Sequence, residues 1–280
     1  MREVNLTIIV TSIEKHREFL IRLIDSYLRM QYNDETELFV VFKDISDLYH
    51  EELEEISKFH PNISIFLKPG LSRCERKDLG AKIAHCNMIA YVDSDCIFDD
   101  LYYVKLKEHL NHPIIRGHNE FLSGDNWFSR MNSIYRNLCD DDFFKNETFS
   151  PNLIISKALL FEAGGWNQDN LDCQDDYILS QRVHRVYQGD ILHILYAILY
   201  NQADTSIKKT IKTWYGYGLG YGFRYWRSVK SEKRSLLKFL PPMIFRRQCS
   251  LDYFFFSIFQ WFVVTLGYIV SLFRYRAKSQ

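Results

Sequence analysis

The sequence predicts an α/β fold: a Rossmann-like, mostly parallel sheet flanked by helices, with a hydrophobic helical appendage at its C-terminal end. Three observations predict it. Short β-rich apolar runs alternate with helical stripes over residues 1–98, the pattern that folds into parallel strands joined by right-handed crossovers. The fourth such run stops abruptly at two carboxylates, Asp93 and Asp95. Finally, residues 253–273 carry no formal charge; as a helix they would extend roughly 30 Å, near the hydrocarbon thickness of a bilayer.

The elements follow in order. Residues 6–10 are an apolar β-rich strand, and 14–30 a helix with Phe19, Leu20, Leu23, Ile24, Tyr27 and Leu28 on one side. Residues 38–42 are a second strand, 48–59 a charged amphipathic helix, and 63–67 a third strand ended by Pro69-Gly70. Ser72-Arg-Cys-Glu75 fits a capping box and starts a helix running to about His85. Residues 88–92 are the fourth strand. Beyond it, 113–116 and 152–155 are short strands, 157–163 is a short helix stopped by Gly164-Gly165, 175–186 is helical, and 191–199 is again a strand. Residues 119–150 mix polar and aromatic side chains, a composition suited to shaping a substrate pocket.

The chain of 280 residues is long enough for one large domain and an appendage, with 47% hydrophobic residues for a core. Its formal charge of zero hides an asymmetry: residues 203–280 hold 14 Lys and Arg against three Asp and Glu, a net +11, leaving −11 on residues 1–202. The expected division is a catalytic domain over 1–202, with halves at about 1–98 and 99–202, a glycine-, aromatic- and base-rich linker over 203–250, and a membrane-associated or packing helix over 251–275. Arg246 and Arg247 precede the uncharged run, and Arg274, Arg276 and Lys278 follow it. Basic flanks and aromatic density favour attachment to an anionic membrane surface. The run itself fits a single span, an in-plane helix, or a helix packed on the domain or a second subunit in a homo-oligomer. A basic tail adjoining an uncharged run argues against nucleic acid as the partner. Six cysteines occur with no C-x-x-C pair, so reduced thiols are expected rather than a zinc site or disulfide framework. Met1-Arg-Glu-Val-Asn5 leads straight into a strand, so no signal peptide is expected.

Two acidic clusters carry the chemistry. Asp93 and Asp95 sit at a strand's C-terminal end, where ligands bind in open α/β sheets; as hard oxygen ligands they suit Mg²⁺ or Mn²⁺ on a diphosphate. Asp172, Asp175 and Asp176 form the second cluster and include a candidate general base. Acids also suit the first turn of a helix on dipole grounds alone. Asp140-Asp141-Asp142 reads as a solvated helix end, and His193 as a core histidine. Arg73 and Lys77 either steer a diphosphate or are solvated helix residues, and Arg182 is expected to brace its helix by pairing with an acid.

In order along residues 5–225, the chain resembles glycosyltransferase family 2, a group of GT-A enzymes. The residues that carry the resemblance are the strand Leu6-Thr-Ile-Ile-Val-Thr11, the strand-end Lys43-Asp44-Ile-Ser46-Asp47, Gly70-Leu-Ser72 with Lys77-Asp78-Leu-Gly80, Tyr91-Val-Asp93-Ser-Asp95, Gly164-Gly165-Trp166-Asn167, and Asp175-Asp176-x-x-Leu179-x-x-Arg182. The resemblance implies an inverting transferase that moves a sugar from a nucleoside diphosphate, with uridine the family-weighted base, to a glycan or lipid-linked acceptor. By it Thr11, Asp44, Asp78, Lys77 and Asp93 line the nucleotide site. Asp95 and Asp93 ligate the metal. Gly165, Trp166 and Asp175 meet the acceptor, and Asp176 is the base, its pKa raised by the neighbouring carboxylate. Together with the basic, aromatic tail, this leads to the expectation of a place at the cytoplasmic membrane face, such as a bacterial inner membrane, peripheral or single-span.

The sequence departs from the family in places. Asn201 stands where the family often has a further metal-ligating His, and offers only a carbonyl oxygen. Asn167 replaces an acid, and Asp175 replaces the more usual Glu. Gly222-Phe-Arg224-Tyr-Trp226 does not match the Gln-x-x-Arg-Trp motif of the processive members, which favours single-sugar addition. Trp214–226, where glycines interleave with aromatics, is expected to be a lid or a hinge. Two other functions compete. A sugar-phosphate nucleotidyltransferase would show a glycine-rich loop after the first strand, where this chain has Thr11-Ser-Ile-Glu-Lys-His16. A non-catalytic partner has Asn201 as its support.

Overall fold

Strand β1 (Leu6–Ser12) is central and parallel to both neighbours, β2 (Thr36–Phe42) and β4 (Met88–Asp93). The computed structural model describes residues 3–142, 148–166, 175–202, 206–227 and 250–276. Asp172, Asn167 and most of the basic linker lie outside them. The described residues group into two compact units, one from 1–121 with 140–202 and one from 122–139 with 203–280.

In the first unit the eight-stranded sheet has the order β3-β2-β1-β4-β7-β6-β8-β5. Its parallel half adds β3 (Ile63–Leu67) beyond β2. The expectation of a mostly parallel sheet holds for this half alone. β7 (Leu153–Ser156) runs antiparallel to β4 and to β6 (Ile114–Leu122), and β5 (Cys96–Phe98) antiparallel to β8 (Leu192–Gln202). The sheet is therefore mixed. Only the early strands are linked by the long helical crossovers that parallel pairing needs.

Those crossovers are α1 (Arg17–Arg29), α2 (Asp47–Phe59) and α3 (Arg73–Ile83). Helix α3 starts where the capping box places it: Ser72 Oγ accepts from the Glu75 backbone N–H at 3.2 Å, and Glu75 accepts from the Ser72 N–H at 2.8 Å. It approaches β1 so closely that a Cβ on Gly80 would lie 2.7 Å from Ile9, which is why a helix interior tolerates glycine there. Apolar side chains fill both faces of the sheet. Leu6, Ile8 and Val10 of β1 face α1 and α2, while Ile9 faces α3, α6 (Lys157–Glu162) and α7 (Asp175–Val186).

Because the chain goes from β1 to β2 and β3 on one side, then returns to β4 on the other, the β1/β4 pair is the sheet's switch point. Ligand crevices form there, at the strands' C-terminal ends. Thr11 and Asp93 are register partners at that end. A short helix α4 (Tyr102–Leu106) and a 3-10 turn follow β5.

In the second unit, α5 (Trp127–Asp142) supplies its residues up to Cys139, joined by α8 (Ile207–Arg227) and α9 (Leu251–Arg276). The glycine–aromatic segment forms the body of α8. Trp214 is buried against Phe128 and Phe256, with ring centroids 5.7 and 5.2 Å apart. Tyr215 meets Gly267, and Leu219 accepts a 2.8 Å bond from Ser271, so α8 and α9 run side by side in the same direction. A Cβ on Gly218 would lie 2.0 Å from the Val264 carbonyl oxygen, whereas one on Gly216 would meet nothing within 4 Å. Gly218→Ala should therefore lose about 1–3 kcal/mol through overpacking, while Gly216→Ala should be neutral or gain up to roughly 1 kcal/mol from helix propensity. Urea unfolding of both variants in nonionic detergent, followed by circular dichroism, checks the pair.

Candidate active site

Helix α3 presents Arg73 and Lys77 from successive turns of one face, and α7 opens with Asp175 and Asp176. The two ends meet. Arg73 Nη2 donates to Asp175 Oδ1 at 2.6 Å, and Lys77 Nζ to Asp175 Oδ2 at 3.3 Å. Lys77 is only 3% exposed, so the alternative of a solvated helix lysine is set aside. Its ammonium also donates to Ser150 Oγ at 3.1 Å, lies 4.0 Å from Asp176 Oδ1, and sits 3.7 Å above the Trp166 ring. Such a cation–π contact is strongest where water is excluded.

Asp176 has a different environment. Oδ1 accepts from the Ser150 backbone N–H at 3.2 Å, and the side chain remains 25% exposed. Among the described residues, Oδ2 has no hydrogen-bond partner. Burial pushes the Asp176 carboxyl up to about 7, with Asp175 adding to the rise, Lys77 and Arg73 opposing it, and Asp93 adding a little. Like-charge repulsion, the cause expected from sequence, thus comes second to burial. Burial also acts on Asp175, but Lys77 and Arg73 outweigh it and hold that carboxyl below its usual range. Two consecutive acids are thereby driven apart, one fixed as an anion and one poised near neutrality. Burial and Asp175 push the Cys74 thiol up to about 12, so Cys74, 3.7 Å from Asp175 Oδ2, is a neutral donor rather than a nucleophile.

The acids at the end of β4 belong to the same neighbourhood. The charge of Asp93 acts on both Arg73 and Asp176. Asp93 and Asp95 are half-buried, with Ser94 buried between them. Ser94 Oγ lies 3.0 Å from His16 Nδ1, and Glu14 accepts from the Ser46 N–H at 3.2 Å and from its hydroxyl. The loop after β1 is thus tied both to the β4 turn and to the start of α2. His16 and Ser150 join this neighbourhood although no sequence pattern flagged them.

The remaining expected residues are placed as follows. Thr11 is half-buried beside Asp93. Asp44 is exposed beyond β2, its carboxylate 4.0 Å from Lys43. Asp78 accepts from the Trp166 backbone N–H at 2.8 Å. Gly165 adopts φ +69, and a Cβ there would lie 2.8 Å from the Asp78 carboxylate, so glycine is required on both counts. Asp78 therefore ties α3 to the Gly164-Gly165 loop. Trp166 is buried, 5.0 Å from Tyr91 ring to ring, and forms the floor under Lys77. Arg182 reaches the Gly165 carbonyl. Asn201 is buried across the ladder from Cys96; its Oδ1 accepts from the Cys96 thiol at 3.1 Å and its amide donates towards Asn119 at 3.4 Å.

The donor set fits a small hard cation arriving with its substrate. Among the described residues no three His, Cys, Asp or Glu side chains gather into a cage. Mg²⁺ and Mn²⁺ at phosphate sites, however, commonly use one or two carboxylates, with water and phosphate oxygens completing the shell. Asp93 and Asp95 supply such a pair.

Two expectations are corrected. Asp140 ends a helix but is not solvated: it is 4% exposed, pairs with Arg116, and accepts from the Asn119 N–H at 3.1 Å. Burial would raise it, but His118, Arg116 and Asn119 hold it below its ordinary value. His193 is not a core residue. It lines a cavity of about 450 Å³ between α4 and residues 193–196 of β8, a separate feature that holds none of the site's acids.

No family model matches the chain, and no curated protein does so either. Solved structures share its fold. The mannosyltransferase PcManGT from Pyrobaculum calidifontis, in complex with GDP-Man and Mn²⁺, superposes with a TM-score of 0.59 at 10% identity, over 95% of this chain and 74% of that one. Residues 1–349 of S. aureus TarS give 0.57 at 13% identity, over 99% and 92%, and their UDP-GlcNAc complex gives 0.57 at 14%, over 96% and 82%. The chain therefore has a Rossmann-like glycosyltransferase fold. Removing the Arg116 counterion by Asp140→Ala should cost about 3–5 kcal/mol, because a buried guanidinium is left uncompensated; a denaturant midpoint lowered with an unchanged slope is the expected record.

Proposed function

We propose that this protein is an inverting, divalent-cation-dependent glycosyltransferase of the GT-A, family 2 kind, moving one sugar from a nucleoside-diphosphate donor to a hydroxyl of a glycan or lipid-linked acceptor. One observation carries the reading: Asp93 from β4 and the Asp175-Asp176 pair from α7 converge on the α3 cations at the sheet's switch point. The fold shared with a GDP-Man complex and a UDP-GlcNAc complex supports a nucleotide-sugar donor.

The donor's diphosphate lies at the C-terminal ends of β1 and β4, beside Thr11 and the Asp93-Ser94-Asp95 turn. Asp93 and Asp95 would hold a Mg²⁺ or Mn²⁺ ion, which would neutralise the charge that grows on the departing diphosphate. An acceptor hydroxyl must lose its proton as it attacks. Asp176 Oδ2 takes that proton, because it is reachable, unbonded among the described residues, and poised near neutrality. Attack from the face opposite the diphosphate inverts the anomeric carbon. Asp175, fixed by two cations, keeps the base in place.

Sign and magnitude follow from these roles. The acting form of Asp176 is the anion, so the rate should rise with pH through about 7 and level off above it. Asp176→Asn should lower transfer by roughly 10²–10⁴-fold on the alkaline plateau, with a smaller deficit below about pH 7 and with donor binding retained. Release of nucleoside diphosphate from a panel of nucleotide sugars with a membrane-extract acceptor, with and without EDTA, is the measurement; EDTA should abolish it. An active Asp176→Asn variant would remove the base from its role.

The acceptor side is proposed to lie at a membrane surface. Helix α9 offers an outward apolar stripe, Phe255, Ile258, Phe259, Phe262, Leu266 and Phe273, while Ser257, Gln260 and Ser271 are buried. Residues 251–273 are long and apolar enough to cross a bilayer, and exposed Lys208, Lys209 and Lys212 open α8. The protein should float with vesicles containing anionic lipid and less with neutral ones, and Phe255→Ser/Phe262→Ser should weaken flotation on both.

A further inference from the structure

Among the groups around Asp176, Lys77 is the one whose position matches neither a surface lysine nor a ligand for phosphate. It is almost wholly buried. Its ammonium is surrounded by protein: it donates to Asp175 Oδ2 at 3.3 Å and Ser150 Oγ at 3.1 Å, lies 4.0 Å from Asp176 Oδ1, and sits 3.7 Å from the Trp166 ring centroid. Two of its three donors are thus hydrogen-bonded, and the aromatic ring covers a further side. A diphosphate could reach Nζ only by displacing a carboxylate or the Ser150 hydroxyl.

We propose that Lys77 is a positioning residue for the base and makes no contact with the donor: it joins α3, the Ser150 turn and the α7 N-terminus, and so aims Asp176 at the acceptor. The proposal rests on Asp176 being the base and assigns Lys77 a place outside the nucleotide site. The geometry distinguishes it from Arg73. Arg73 holds the other oxygen of Asp175, but its side chain is 42% exposed, against 4% for that of Lys77, so Arg73 is the cation with a face left for phosphate.

The floor beneath Lys77 joins α3, β4, α7 and the Gly164-Gly165 loop. Trp166 follows Gly165, whose carbonyl is held by Arg182 of α7, and its own N–H is held by Asp78 of α3. Tyr91 of β4 packs edge-on against the Trp166 ring. The same residues that seat the ammonium therefore fix the distance between α3 and α7. Besides Lys77, the charged and titratable groups acting on the two carboxylates are Arg73 and Cys74 from α3, Asp93 from β4, and the carboxylates on each other. Lys77 opposes the rise of Asp176, so its removal moves the base further up.

The test compares wild type, Lys77→Met and the charge-balanced double variant Lys77→Met/Asp175→Asn. UDP and GDP binding is measured calorimetrically with Mg²⁺ and no acceptor, and the pH dependence of transfer is measured separately. The expected result is nucleotide affinity within about twofold of wild type for both variants. For Lys77→Met, the acidic limb of the rate profile should move upward by about one pH unit or more, with kcat reduced and the donor KM unchanged. The double variant loses one cation and one anion together, so its limb should return towards the wild-type position. A tenfold or larger loss of nucleotide affinity in either variant overturns the proposal by placing Lys77 on the donor. An unmoved limb with wild-type kcat overturns it by making Lys77 structural. If Lys77→Met fails to fold, the double variant's nucleotide affinity decides: a value within about twofold of wild type upholds the proposal and a tenfold loss overturns it. Absence of transfer by wild type would instead sink the proposed activity itself, which separates the two failures.

Discussion

Much of this fold turns on one ion cluster: two cations from the first turns of α3 grip the first acid of α7, a hundred residues later in the chain. Isolated burial of either sign would be prohibitive, and a buried pair is worth keeping only when its remaining donors and acceptors are satisfied. Here they are. Asp175 receives Arg73, Lys77 and the Cys74 thiol; Lys77 is completed by Ser150 and the Trp166 ring. The close α3–β1 approach at Gly80, the left-handed Gly165 and the Asp78 bond to Trp166 all bring the α3 cations and the α7 acids within reach of each other. Consecutive residues on a helix point about 100° apart, so holding Asp175 inward necessarily turns Asp176 towards the Ser150 turn and solvent.

How much of this was legible in the sequence depended on whether the signal was local. The parallel half was readable because each strand is a short apolar run and each crossover shows its own period or cap; Ser72 and Glu75 predict a helix start that the structure reproduces. The two acid clusters, some eighty residues apart, were linked in the sequence only through the order of stretches that resemble the family, not through any local signal. The antiparallel half was harder. β5 spans three residues, too few for a pattern, and α5 interleaves Ser, Asn and Arg with its apolar positions, so its period is weak. Asp140 looked solvated because its partners, Arg116 and Asn119, lie more than twenty residues upstream. His16 and Ser150 carry no motif at all; their roles exist only once the β4 turn and α7 have come to them.

The last third illustrates the same limit. Read as a string, residues 253–273 are interrupted by Ser257, Gln260, Thr265 and Ser271. In three dimensions Ser257, Gln260 and Ser271 are buried, Ser271 on the Leu219 carbonyl of α8, and the outward face is left to phenylalanine, isoleucine and leucine. Glycines 218 and 267 allow the two backbones to touch, the close packing that small residues permit between helices in apolar surroundings. Polarity averaged along the sequence conceals an amphipathicity that only the partner helix makes visible.

Charge arithmetic at the site also bears on why a cation belongs to the proposed chemistry. Asp93, Asp175 and Asp176 act on Arg73, Asp95 follows two residues after Asp93, and Lys77 is committed to the carboxylates of α7. A diphosphate entering beside Thr11 would therefore meet more negative than positive charge, in surroundings less screening than water. Protonation of Asp176 would relieve one charge, but only by disabling the base. A divalent ion held by Asp93 and Asp95 would cancel their two charges while leaving Asp176 free to ionise, and it would do so on the β4 side, where the diphosphate would lie, rather than on the α7 side, where the acceptor proton would go. The acidity that first marked this chain as a candidate metal site is thus the same property that makes donor binding without a cation unfavourable.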